Sequence, residues 1–285
     1  MKLRIVEARR GIAWVKNAFR VFGRQPIGFA AVFATCLFIL MILSLLPIVG
    51  TAALLVLPPA GSLVFMIASR IAAGGPGAGP AGPVTVGKAG TAEAGRGPMP
   101  GAFTELAGAG KRTWLELLKM GLLYAALTFL GFWLAGVLDG GAFEAMLEAM
   151  SRERSTPEQT AQRFADPQAQ FGLFLRLAFA ALVSLPYWHA PALVHWGGLG
   201  WSKSLFFSTV AVWRNKSAFL VYGLVWAGIF LAAVASIAVL VGLTGVPQLA
   251  LLATPLTLAL TTVFYASLWF TFDDSFSNTP EELAA

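Results

Sequence analysis

The chain has few of the residues from which active sites are usually built: one cysteine, two histidines and 14 acidic residues among 285. The single Cys36 excludes a disulfide within the chain, because a disulfide needs two thiols. His189 and His195 are six residues apart, which places them about 240° apart around a helix axis. Side chains on different faces do not share a metal ion. We therefore predict no metal site and no cofactor.

Charged side chains are also scarce. They make up 12% of the chain, hydrophobic residues make up 57%, and the mean hydropathy is +0.73. A soluble globular domain needs about 25% charged residues to cover its surface. Part of this surface must therefore face lipid, and a large soluble enzyme domain is excluded.

Long apolar runs are what the chain has instead. Crossing a ~30 Å hydrocarbon core takes about 20 helical residues, and six runs reach that length. The sequence thus predicts an all-α fold, a single membrane domain of six transmembrane helices in three hairpins. The predicted spans are 27–46, 49–72, 115–138, 171–196, 218–243 and 248–272.

The remaining segments divide the membrane domain, 1–285. Hairpin 1 with its N-terminal interfacial helix covers 1–72, hairpin 2 covers 102–196, and hairpin 3 with a second interfacial helix covers 197–272. We predict a flexible linker rich in Gly, Pro and Ala over 73–101. An outer loop is predicted over 139–170, in which Thr156-Pro157 and Asp166-Pro167 have the pattern of helix starts. An acidic tail follows over 273–285.

Basic residues predict the orientation. With a cytoplasmic N-terminus, 7 Lys/Arg precede the first span, 6 lie from Arg70 to Lys119 and 3 from Lys203 to Lys216, so 16 of 20 fall inside. This bias has the sign of the positive-inside rule and places both termini in the cytoplasm. The net charge of +6 is spread along segments that flank apolar runs. It therefore favours contact with anionic lipid headgroups at the cytoplasmic face, not nucleic acid.

An internal repeat is suggested by the first and last thirds. Trp14 to Phe19 aligns with Trp201 to Phe206, and each segment precedes a pair of predicted spans. The second span of every pair contains proline: Pro58 and Pro59, then Pro186 and Pro191, then Pro255. Basic and aromatic anchors can also precede unrelated spans for interfacial reasons alone. We favour three related, parallel hairpins.

Several of these motifs occur together: the Trp-x-Lys-x-x-Phe start at Trp14, the segment Ala190-Pro191-Ala192-Leu193-Val194 followed by Trp201, and the aromatic end from Tyr265 to Phe276. Together they resemble a proteobacterial family of six-helix inner-membrane proteins of unknown function. More distantly, the pattern is similar to the membrane domain of some glycerophosphodiester phosphodiesterases, without their catalytic domain. The resemblance covers nearly the whole chain outside the linker and the outer loop. It implies the six-helix fold and a location in the inner membrane of a bacterium, and it implies no activity.

Candidate ligand or cavity residues come from polar groups within the spans. His189 lies between two prolines and is predicted either to make a structural hydrogen bond or to contact a ligand. A polar stripe on the last span either joins helices or lines a path. The full candidate set is His189, Tyr187, Thr254, Thr257, Thr261 and Tyr265.

Two ion pairs are predicted at the ends of the spans. At the outer end Asp139 is expected to pair with Arg176. At the inner end Asp273 and Asp274 are expected to pair with Lys203 or Arg214.

No catalytic residues are predicted. Ser62 with His189 as base would suggest an intramembrane hydrolase, but the Gly-x-Ser-x-Gly form is missing and no oxyanion donor can be named. We expect a non-enzymatic inner-membrane protein that serves membrane assembly, lipid organisation or partner binding. Its partner would be another membrane protein or a second copy of the chain. The alternative is a small-solute or lipid carrier or channel with a cavity near His189 and the threonine stripe.

Overall fold

A computed structural model of the chain describes residues 2–46, 49–74, 98–152, 162 and 165–277. The described part is an all-α membrane bundle, apart from strands β1 (Lys2–Leu3) and β2 (Phe276–Ser277), which pair antiparallel, and a 3-10 turn at Pro247–Leu252. The helices are α1 (Arg10–Arg24), α2 (Pro26–Ser44), α3 (Val49–Val56), α4 (Pro58–Ala72), α5 (Pro98–Ala107), α6 (Lys111–Leu138), α7 (Ala142–Arg152), α8 (Pro167–Tyr187), α9 (Ala190–His195), α10 (Trp201–Arg214), α11 (Lys216–Thr244) and α12 (Ala253–Ser275).

Five helical segments of the described chain are long and apolar enough to cross a membrane. They lie within four residues of five predicted spans at each end, so these predicted helices are confirmed. The segments are Pro26–Ser44, Lys111–Leu138, Pro167–His195, Lys216–Thr244 and Gln248–Ser275.

The predicted second span, 49–72, is two shorter helices separated at Leu57. Pro58 and Pro59 have no backbone N–H, so the regular hydrogen-bond ladder stops and a new helix begins. The Leu57 N–H still donates to the Ala53 carbonyl (3.0 Å), and the Gly61 N–H donates to the Leu57 carbonyl (2.9 Å). The predicted span 171–196 is interrupted in the same way, because α8 ends at Tyr187 and α9 begins just before Pro191.

The densest packing lies at one end of the bundle. α4, the short α9 and the second half of α12 are buried along most of their length. By contrast, α11 buries only Ala218, Tyr222 and Trp226, all in its first three turns, and α2 buries only Phe29 and Val32. The other half of the bundle therefore exposes its apolar side chains, as expected of helices that face lipid.

Three helices lie against this packed end, and each contacts a pair of spanning elements. α5 packs on α2 and α4, α10 packs on α6 and α9, and α1 packs on α11 and α12. α1 corresponds to the N-terminal interfacial helix predicted for hairpin 1, and it buries Trp14, Val15 and Ala18. Gly11 allows its close approach to α11, because a Cβ there would overlap the Ala218 carbonyl oxygen.

The predicted Asp139 and Arg176 pair is confirmed at the opposite end. Arg176 Nη1 donates to Asp139 Oδ2 (2.7 Å) and to the Gly172 carbonyl (2.8 Å), and the second Nη donates to Glu144. Burial alone would raise the pKa of Asp139, but the hydrogen bond from Arg176 and the backbone N–H of Gly141 outweigh it and lower that pKa. The pair fixes the start of α8 against the end of α6.

The predicted helix start at Asp166-Pro167 is also confirmed. The Asp166 side chain accepts a hydrogen bond from the Gln168 N–H (3.0 Å), and Pro167 occupies the first turn of α8. The second predicted start, Thr156-Pro157, lies outside the described residues, as do 75–97 of the linker and 278–285 of the tail.

Candidate functional site

His189 lies in the two-residue break between α8 and α9 and is fully buried. Its backbone N–H donates to Ser208 Oγ on α10 (2.9 Å). This bond satisfies one of the backbone groups that the break leaves without a partner inside a helix. Its ring is surrounded by the aromatic rings of Phe219, Phe272 and Phe276. The residue thus joins four elements of the packed end.

The hydrogen bonds around Thr271 determine which nitrogen of His189 carries the proton. The Thr271 hydroxyl donates to the Leu268 carbonyl (2.8 Å), so its oxygen must accept from His189 Nε2 (3.2 Å) and from Trp188 Nε1 (3.2 Å). A neutral histidine has one N–H, which leaves Nδ1 as a buried acceptor without a partner in the described chain. The predicted structural hydrogen bond is therefore present.

The threonine stripe does not join His189. Thr254 and Thr257 are exposed near the start of α12, Thr261 is half-buried, and His189 contacts Thr271 at the other end of that helix. A helix rises 1.5 Å per residue, so about 25 Å separates the levels of Thr254 and Thr271. The described chain therefore does not gather the predicted candidates into one cavity.

The two tyrosines of the candidate set lie between these levels, in one apolar cluster. Tyr187 donates its hydroxyl hydrogen bond to the Met120 carbonyl (3.2 Å) and contacts the ring of Tyr124. Tyr265 stacks on Phe65, with ring centroids 5.2 Å apart. Both therefore fill the centre of the bundle with aromatic side chains.

A polar cluster at the packed end, around Glu105, was not predicted from the sequence. Glu105 pairs with Arg70, and its Oε1 also accepts from His195 Nε2 (3.0 Å) and Trp196 Nε1 (3.2 Å). Burial alone would raise the pKa of Glu105, but these hydrogen bonds and the charge of Arg70 together lower it. One carboxylate thus holds α5 against α4 and the end of α9.

A second carboxylate, Asp274 on α12, holds α1. It accepts from Arg10 Nε (2.7 Å) and from Trp14 Nε1 (2.5 Å). The expected pairing of Asp274 with Lys203 or Arg214 is therefore wrong, because Asp274 is paired with Arg10 of α1 instead. The Trp14 ring is fully buried at this contact.

Beside this contact a cleft of about 760 Å³ opens along the N-terminal segment. Its wall combines basic, acidic and apolar side chains of residues 4–7, 9–10, 12–13 and 16 with Asp274. The hydrogen bond of Arg10 to Asp274 raises the pKa of that guanidinium, although burial opposes it. Arg10 therefore keeps its charge at the base of the cleft.

No metal site can be built from the described residues, and the Ser62 hydroxyl is bound within its own helix. No three His, Cys, Asp or Glu side chains in the described ranges converge on a point where an ion could be held. The Ser62 hydroxyl donates to the Pro59 carbonyl of its own helix (2.8 Å), as membrane serines often do. The lack of catalysis remains a prediction.

Comparison with known proteins gives a match to a bacterial membrane protein. The chain is 28% identical over 278 residues to a probable inner membrane protein of Burkholderia thailandensis, and the alignment covers 97% of this chain and 94% of that protein. No family model matches the chain, and no solved structure matches it. The apolar helices and this relative together make the chain similar to a bacterial inner-membrane protein over nearly its whole length.

Proposed function

We propose that this chain is a non-enzymatic inner-membrane protein whose basic interfacial helices bind anionic lipid at the cytoplasmic face and so organise lipid or support membrane assembly. The observation that carries the proposal is the outer face of α1. Ile12 and Phe19 are exposed there beside the exposed Lys16 and Arg20. Apolar and basic side chains on one exposed face are typical of helices that lie in a lipid headgroup layer.

The exposed face of α10 has the same character. Phe206 and Trp213 are 63% and 69% exposed, and the exposed Lys203 and Arg214 lie on the same helix. Both helices are followed after a single residue by a spanning helix, α2 or α11. This short connection supports a position of α1 and α10 at the membrane surface.

The pairing of the chain ends supports six crossings. Leu3 is opposite Phe276 in the β1 and β2 pair, so both ends of the described chain lie at one face of the bundle. Ends on one side require an even number of crossings, and five helical segments already have spanning length. α3 and α4 together have 23 residues, about 35 Å of helix. We therefore assign the sixth crossing to residues 49–72, with both termini cytoplasmic.

The packing of the interfacial helices supports the proposed three-hairpin repeat. α5 contacts both arms of hairpin 1, α10 those of hairpin 2, and α1 those of hairpin 3. Each of the three interfacial helices thus contacts one of the three hairpins. The three contacts form a ring, as expected of parallel repeats around an axis normal to the membrane.

Lipid analysis tests the proposed function. The full chain is extracted from cells in copolymer discs without detergent, and the bound lipids and proteins are identified by mass spectrometry. We expect anionic phospholipid to be enriched over the bulk membrane. We also expect the enrichment to fall when Arg20, Lys203 and Arg214 are all replaced by Gln.

A matched control replaces three arginines of the predicted outer loop, Arg152, Arg154 and Arg163, by Gln. The enrichment should then stay near that of the unchanged chain. Lipid at bulk composition around the unchanged chain, with no copurified protein, would contradict the proposal. Solute flux in liposomes that is abolished by His189→Ala would instead favour the carrier.

A further inference from the structure

Two cationic side chains in the cleft beside α1 have no hydrogen-bond or ion-pair partner in the described chain. Arg9 is paired with Glu7 (2.5 Å) and Arg10 with Asp274. Arg4 and Lys16 also line the cleft, but within the described ranges their side chains make no hydrogen bond or ion pair. The cleft therefore has cationic donors to offer to a ligand.

The charge balance favours a ligand with one negative charge. Four basic and two acidic side chains line the cleft. The nearby Asp273 also interacts electrostatically with Arg4 and Arg10. Four cations against three anions leave an excess of one positive charge. A phosphodiester carries one negative charge, and its oxygens suit guanidinium and ammonium donors.

The apolar part of the cleft favours a lipid over a soluble phosphate. Ile5 and Ile12 line the same cleft and are 63% and 40% exposed. Exposed apolar side chains beside cations match a ligand that has an anionic head and a hydrocarbon tail. The cleft also lies at the start of α1, the helix that leads directly into the spanning α2.

We propose that this cleft binds the headgroup of one anionic phospholipid, with Arg4 and Lys16 contacting the phosphodiester and Ile5 and Ile12 contacting the acyl chains. Arg10 is held by Asp274 and forms the base of the site. The inference deepens the proposed function, on which it rests: it turns general attraction to anionic lipid into one discrete site.

The test is a titration of the purified full chain in neutral detergent with phosphatidylglycerol, followed by native mass spectrometry. A neutral micelle has no anionic surface, so general attraction is removed and a discrete site remains. The double variant Arg4→Gln with Lys16→Gln should bind its first phosphatidylglycerol at least about tenfold more weakly, because a lost charge-assisted hydrogen bond typically costs that much.

The matched control is Arg24→Gln with Lys111→Gln, which removes two exposed charges that lie outside the cleft. It should change the affinity less than about twofold. Thermal unfolding without lipid checks that both variants fold, which we expect because neither Arg4 nor Lys16 makes a side-chain hydrogen bond in the described chain. Equal weakening in both variants would overturn the discrete site and leave the proposed function intact.

Two further ligands separate the remaining outcomes. Glycerol 1-phosphate should bind far more weakly than phosphatidylglycerol, and equal binding would overturn the lipid assignment in favour of a soluble phosphate ester. Phosphatidylcholine should bind weakly as well. If the unchanged chain binds it as tightly as phosphatidylglycerol, and copolymer discs show no anionic enrichment, the site and the proposed function both fail.

Discussion

At the scale of single residues, the buried Arg176 contributes to stability through the partners that compensate its charge. Its guanidinium contacts Asp139, Glu144 and the Gly172 carbonyl, and it lies 4.6 Å from the Phe143 ring centroid. Removal of one partner from a buried ion pair leaves the other charge without compensation, which is more costly than loss of the attraction itself.

Arg176→Met is therefore expected to lower the free energy of unfolding by about 3–5 kcal/mol. Unfolding in mild detergent against increasing denaturant measures it. The control Lys119→Met removes a cation from the exposed pair with Glu116 and should cost less than about 1 kcal/mol. A similar loss in both variants would contradict the role of burial.

The pH dependence follows from the lowered pKa of Asp139. A carboxyl group whose pKa is lower in the folded state stabilises the fold above its unfolded pKa, and this stabilisation is lost as the pH falls through the folded value. The difference in stability between the unchanged chain and Asp139→Asn should stay constant from about pH 7 to 5 and shrink below the ordinary carboxyl range. A difference that grows towards low pH would refute the assignment.

Gly172 gives a further prediction from the same cluster. A Cβ at Gly172 would overlap the Asp139 carboxylate, whereas a Cβ at Gly223 would meet open space. Gly172→Ala should therefore destabilise the chain by about 1–3 kcal/mol. Gly223→Ala should be neutral or slightly stabilising. Thermal unfolding of both variants measures the contrast, and equal melting temperatures would contradict it.

At the scale of elements, the amphipathic α1 is bound to the last hairpin of the chain. Gly11 lies against the backbone of α11, and Trp14 and Arg10 contact Asp274 on α12. This contact joins segments about 260 residues apart in sequence. The apolar spacing of residues 1–26 predicts an amphipathic helix, but it contains no information about which spanning helices receive it.

Gly11→Ala should weaken the contact of α1 with α11, because its Cβ would overlap the Ala218 carbonyl oxygen. We expect a loss of about 1–3 kcal/mol and faster proteolysis of the N-terminal segment. Gly23→Ala in the same helix meets open space and should stabilise the chain by up to about 1 kcal/mol. The reverse order of stability would contradict the packing of α1.

At the scale of the whole molecule, the sequence predicts well those features of the structure that hydrophobicity determines. Apolar runs predict the spanning helices closely, and proline predicts where they break, as at Pro58 and Pro191. Contacts between distant segments are not predicted in this way, because an acidic residue such as Glu105 or Asp274 could pair with any of many basic residues in the sequence. His189 shows the same limit: its place between prolines predicts a hydrogen bond, and only the fold identifies Thr271 as the partner.

The central claim is a six-crossing bundle with its interfacial basic helices at the cytoplasmic face, and sided cysteine labelling tests it most directly. In a Cys36→Ser background, Leu46→Cys, Ala73→Cys and Ser202→Cys are made singly and exposed to a membrane-impermeant maleimide in intact spheroplasts. We predict that Leu46→Cys is labelled from outside, and that Ala73→Cys and Ser202→Cys are labelled only after permeabilisation. Labelling of Leu46→Cys and Ala73→Cys from the same side, or of Ser202→Cys in intact cells, would contradict the account.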